Sequence, residues 1–147
     1  MLLLVLISVV PCLFGAVNNI LVLKSLYVST IISIALLILW FLLGRWSVKT
    51  QQRYLSSVLA VHASGIVLIL IILWQFYAVE ESARNMTVCA LSQCYMESIL
   101  LIVAKVANKM GISGTSILLL HVISLVILVF TYSCGFISNR CFHYDKT

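Results

Sequence analysis

The chain has 147 residues, of which 63% are hydrophobic and only 9% charged. Soluble domains carry about 25% charged residues, so this composition excludes a water-soluble core. The net charge of +5 at pH 7 does not point to nucleic acid, because the basic residues stand one to three at a time between apolar runs, as in the cytoplasmic loops of membrane proteins.

A helix needs about 20 apolar residues to cross a bilayer. Residues 1–23, 25–44, 54–79 and 110–139 are free of charge. The expected fold is all-α: a polytopic membrane protein with four transmembrane helices, over 2-23, 26-43, 55-79 and 113-137. All belong to a single domain, 1-147. The start, Met1 to Ala16, has the apolar core of a secretory signal. It lacks a basic leader, and Phe14 stands where cleavage wants a small residue, so it is expected to stay as the first helix. Pro11 predicts a bend there. Asn18 and Asn19 should face other helices, not lipid. The second helix should stop at Gly44, before the basic hinge of Arg45, Lys49 and Arg53. Trp46 and Tyr54 suit the headgroup level.

On the third predicted helix, Ser56, Ala60 and Ser64 share a face, with Gly65 beside it. Small residues let helices approach closely in lipid, so this is a candidate packing face. Residues 80-112 are then an outer loop, opening with Glu80, Glu81 and Arg84. Placing the basic hinge in the cytosol puts that loop outside and both termini in the cytosol, at the plasma membrane or an endomembrane. The sequon Asn85-Met86-Thr87 falls in the loop, which makes Asn85 a candidate glycosylation site. Residues 97–110 read as a short helix with Lys105 and Lys109 on one face. That helix caps the bundle along the membrane surface or extends the fourth span, with a re-entrant segment as the less favoured alternative.

Cys89 and Cys94 sit in this outer loop, where the compartment is oxidising. A disulfide is the favoured reading, with free thiols or a redox pair as the alternatives. Cys134 and Cys141, near the cytosolic end of the last helix, are candidates for palmitoylation. His62 and His121 lie within apolar runs, where ionisable groups mark function by default; hydrogen bonding to a Ser hydroxyl or backbone carbonyl of a neighbouring helix is the favoured reading. With every Asp and Glu placed outside the spans, proton-coupled transport is not expected. No metal cluster, phosphate loop or nucleophile–base pair is present in the sequence. No cofactor and no catalytic residue are therefore assigned.

The segment Leu42-Leu-Gly-Arg-Trp-Ser-Val-Lys-Thr-Gln-Gln-Arg-Tyr-Leu55 resembles the end of the tetraspanins' second helix, their short polar loop and the start of their third. Gly111-Ile-Ser-Gly-Thr-Ser-Ile-Leu-Leu-Leu-His121 is similar to the entry into their fourth helix. The Cys-Cys-Gly signature is missing, and Arg45 and Trp46 replace the cysteines usual after the second helix. The resemblance implies a non-catalytic organiser that associates laterally with other integral membrane proteins and lipids. It also implies that Cys89 and Cys94 are loop disulfide residues and that Cys141 is an acylation site. Two further expectations stand beside it. One is a small accessory subunit of a channel, transporter or energy-converting assembly. The other is an integral-membrane enzyme for a lipid-soluble substrate, with thiol chemistry at Cys89 and Cys94.

Overall fold

The computed structural model describes residues 2–22, 25–49, 53–111 and 116–144. They form seven α-helices and one short 3-10 turn, Glu81–Ala83, and no strand is present among them. Helices α1 (Leu2–Ile7) and α2 (Val10–Val22) are two parts of one apolar rod. The break at Ser8 and Val9 precedes Pro11, whose nitrogen cannot donate to the preceding turn. Ser8 Oγ donates instead to Val5 O at 2.6 Å. Next come α3 (Leu26–Lys49), α4 (Tyr54–Val61), α5 (Ala63–Tyr77), α6 (Met86–Lys109) and α7 (Ile117–Tyr144).

Four rods are long and apolar enough to cross a membrane: Leu2–Val22, Leu26–Val48, Met86–Lys109 and Ile117–Asn139. This is the signature of a multi-pass membrane protein, but the third rod differs from the one expected. The region taken as an outer loop is largely α6, a continuous 24-residue helix. The proposed cap at 97–110 is its second half. Its polar small residues, such as Ser92, Gln93 and Ser98, lower the local hydropathy and disguise it. The run taken as the third span is instead the pair α4 and α5, bent by 58° at His62.

Residue pairing fixes the helix directions. Gly15 lies against Cys94 and Asn18 against Ser98, so α2 and α6 run parallel. Phe41 meets Gly135 and Arg45 meets Asn139, so α3 and α7 also run parallel. Thr30 meets Lys105 and Ser33 meets Ser98, which makes α3 antiparallel to α6. One end of the bundle therefore holds the start of α1, the end of α3, the start of α6 and the end of α7. The bent pair begins at that end: Tyr54 donates to Ser133 Oγ at 2.8 Å and packs edge-on against Phe136. It also finishes there, where Gln75 meets Asn85 and Cys89. It is an arch between two points on one end, not a fifth rod from end to end. From Tyr95, beside its apex, to Cys89, beside its foot, is only about 9 Å of α6 at 1.5 Å per residue.

Backbones touch where side chains vanish. A Cβ on Gly44 would lie 2.2 Å from Tyr132 O, and one on Gly135 would lie 2.0 Å from Phe41 O. On the other pair of parallel helices, a Cβ on Gly15 would lie 1.7 Å from Cys94 O. Leu36, Trp40, Tyr95, Met96, Leu128 and Tyr132 fill the space between these contacts and are fully buried.

The small-residue face of the sequence is mostly turned inward. Ala60 is buried, Gly65 lies under the Tyr95 ring, and Ser64 donates to Ser8 O. Ser56 is partly exposed and bonds back to Arg53 O. Ala60 and Gly65 are therefore buried within the bundle, while Ser64 is half-buried and lines a surface groove with Val5, Val9 and Val67. We expect Gly44→Ala and Gly135→Ala each to destabilise the bundle by about 1–3 kcal/mol, the usual cost of overpacking. Unfolding of the purified protein in mixed micelles measures this.

Candidate functional site

Polar groups inside an apolar bundle must be matched within it, since hydrocarbon offers no hydrogen bonds. Asn18 shows such matching. It is 1% exposed. Its amide nitrogen donates to Ser33 Oγ and to Ser98 O, each at 2.9 Å, and its Oδ1 accepts from Ser29 Oγ at 2.9 Å. Ser33 Oγ donates in turn to Ser98 O at 2.7 Å. One side chain thus ties α2, α3 and α6 together.

A second polar pair lies next to this knot and is left open. Asn19 Nδ2 donates to Glu97 Oε2 at 2.5 Å. Asn19 is exposed and Glu97 partly so. Both line a surface cleft of about 200 Å³ between α2 and α6, whose other walls are Asn18 and the apolar Val22, Leu100, Leu101 and Ala104. Glu97 is the twelfth of the 24 residues of α6, so it stands about 17 Å along the axis from either end. An ionisable group at such a depth costs about 3 kcal/mol in a bilayer and marks function by default. The sequence reading placed Glu97 at the start of the short 97–110 helix outside the spans and did not single it out. The available signal was the scarcity of charge across Met86–Lys109, whose mean hydropathy reaches 1.6 over its best window.

The bend between α4 and α5 gathers aromatic rings. His62 is fully buried, its Nδ1 is 2.8 Å from Tyr95 Oη, and its ring stands edge-on to Trp40, Tyr95 and Tyr132. Tyr132 donates to Ser47 Oγ at 2.7 Å and contacts Ser57 Oγ. His62 Nε2, Trp40 Nε1 and His121 Nε2 are buried and have no hydrogen-bond partner among the described residues. His121, the other intramembrane histidine of the sequence, donates from Nδ1 to Ile117 O one turn earlier, at 2.6 Å. Both histidines therefore carry structural hydrogen bonds.

At the foot of the arch, Gln75 Oε1 accepts from Asn85 N at 3.2 Å, and the Cys89 thiol points at the same oxygen from 3.8 Å. Arg84 donates to Gln75 O and Phe76 O, each at 3.1 Å, and stacks over the Phe76 ring. Asn85 caps α6, with its Oδ1 accepting from Thr87 N and Val88 N.

The expected disulfide is not formed: Cys89 and Cys94 are free thiols. Five residues apart on one helix, they are turned about 140° from each other at 3.6 residues per turn. Cys89 is buried beside Gln75, while Cys94 faces α2. Cys134 is partly buried and lines a groove of about 460 Å³ on the flank of α7, with Tyr54 and Phe130. Cys141 lies in the last turns of α7, and its side chain is outside the described residues. Among the described residues, no group of three His, Cys, Asp or Glu could hold a metal ion. No family of known proteins, no curated protein and no solved structure matches this chain.

We expect Asn18→Ala to cost about 2 kcal/mol of bundle stability, since hydrogen bonds between membrane helices are each worth about 0.6 to 1.7 kcal/mol. Asn19→Ala, at an open position, should cost less than half as much in the same unfolding assay.

Proposed function

We propose that this chain is a non-catalytic membrane protein that associates laterally with other integral membrane proteins, as an organiser or as an accessory subunit of a larger assembly. The observation that carries this reading is the contrast between the two asparagines. Asn18 borders the cleft but is 1% exposed and bonded on both amide atoms within the chain, whereas Asn19 is exposed and Glu97 partly exposed in the same cleft at mid-helix. A polar pair held there is provision for a neighbour that also lies within the bilayer. The groove along α7 gives the same flank-directed character to the other side of the bundle. The resemblance to tetraspanins supports this lateral role. A continuous α6 in place of a cysteine-bearing outer loop sets the chain apart from that family's layout.

The pairing of helix ends supports a particular orientation. Arg45, Arg53 and Arg84 gather at the end from which the arch rises, while Lys105 and Lys109 lie at the other. Four crossings by α1–α2, α3, α6 and α7, with the more basic end in the cytosol, put both termini in the cytosol. The arch then dips into the cytosolic leaflet with Leu55, Leu59, Val67 and Leu70 facing lipid. Asn85 shares that cytosolic side, so its sequon stays unmodified.

In mild detergent the native protein should migrate in an assembly larger than its own 16.4 kDa plus micelle. Leu101→Trp, which fills the cleft, should release it, and Leu55→Trp on the arch should not. A wild-type protein that is monomeric at every detergent concentration overturns the proposal. For orientation, an impermeant maleimide should reach a cysteine introduced at Glu81 only from the cytosolic side. A glycosidase-sensitive mass at Asn85 would reverse that assignment.

A further inference from the structure

We infer that the α2–α6 cleft receives a basic side chain, Lys or Arg, carried at mid-span by the transmembrane helix of a different protein. This rests on the lateral-association reading and specifies the chemistry of the partner. The first argument is the unfinished coordination of the carboxylate. Asn19 bonds to Oε2, and Oε1 accepts no hydrogen bond from any described residue. The Asn18 amide is already committed to Ser33, Ser98 and Ser29 and cannot turn to help. A neutral amide leaves the charge uncompensated, whereas an ammonium or guanidinium neutralises it and fills the remaining lone pairs.

Depth selects the source of that cation. Glu97 is about 17 Å of helix from either end of α6. Lipid headgroup amines and dissolved cations stay at the interface, while a side chain on a crossing helix can stand at any depth. Space allows it as well. The cleft of about 200 Å³ is several times the roughly 30 Å³ of one water, and its apolar walls suit the methylene stem of Lys or Arg.

A second copy of this chain cannot supply the group. Its basic residues fall at or near helix ends and in the connections, and none lies at the middle of an apolar rod. Lys105, the nearest on α6, is two turns beyond Glu97 and donates to Thr30 Oγ1 at 2.7 Å. The partner is therefore heterologous.

The test uses the full chain in phosphatidylcholine bicelles and labelled synthetic helices of about 20 leucines, read by energy transfer. One peptide carries a central Lys, a matched peptide a central Leu, and a third a Lys displaced two turns towards an end. The central-Lys helix should bind at least about tenfold more tightly than the other two, a difference of about 1.4 kcal/mol. Glu97→Gln should erase that preference and Glu97→Asp should keep part of it. Should Glu97→Gln fail to fold, Leu101→Trp blocks the cleft with the carboxylate in place and should erase the preference equally. Equal binding of the three peptides overturns the inference. So does a preference that survives in Glu97→Gln, or displacement by hexylammonium at the same concentration as the peptide, which would make this a site for amphiphilic cations. If the native assembly persists while the peptides are not distinguished, lateral association stands and only the cationic partner falls.

Discussion

The seating of α6 on α2 is the contact on which the other features depend. Gly15 removes the side chain that would strike the Cys94 carbonyl, and Asn18 then reaches the Ser98 carbonyl. Lipid provides no hydrophobic drive between helices, so close backbone approach and interhelical hydrogen bonds have to hold them. With α6 held in the bundle, α4 and α5 have no slot running from end to end. They bend at His62 and return to the end they left. The same seating brings a carboxylate to the middle of an apolar rod.

Trp40 Nε1, His62 Nε2 and His121 Nε2 are buried with no hydrogen-bond partner among the described residues; two other kinds of polar group carry the functional argument. Those of Asn18, Ser33, Gln75, Tyr132 and Asn139 are met by partners within the chain. They specify one arrangement of helices, because any slip leaves a donor bare in a medium that cannot replace its partner. Glu97 is met only in part, at a place open to the flank. A fully satisfied network stabilises a fold; a partly satisfied one at a surface selects a neighbour.

The small-residue stripe shows how a local inference can name a packing face without naming what packs on it. Gly65 packs under the Tyr95 ring, Ser64 bonds Ser8 O, and Ala60 is buried, all within the same chain. Periodicity states that a face is small; it does not state which helix lies opposite. The cysteines repeat the point. Their spacing was compatible with a closed loop until the segment proved helical, which turns the two thiols apart.

Of the two asparagines expected to turn inward, Asn18 does and Asn19 is exposed. The sequence alone determined that the chain is helical, that it holds four rods long and apolar enough to cross a membrane, and that Pro11 interrupts the first. Each follows from local composition, because the solvent acts on every residue separately. It could not rank residues 54–79 against 86–109 as the third rod. The first is more hydrophobic, yet it bends and lies across one end, while the second is more polar and runs the length of the bundle. Only tertiary structure decided this; within α6, Ser92 and Ser98 return their hydroxyls to Cys89 O and Tyr95 O of the preceding turn, which lets serines sit in an apolar rod. The placement of Glu97, and with it the candidate site, followed from that choice.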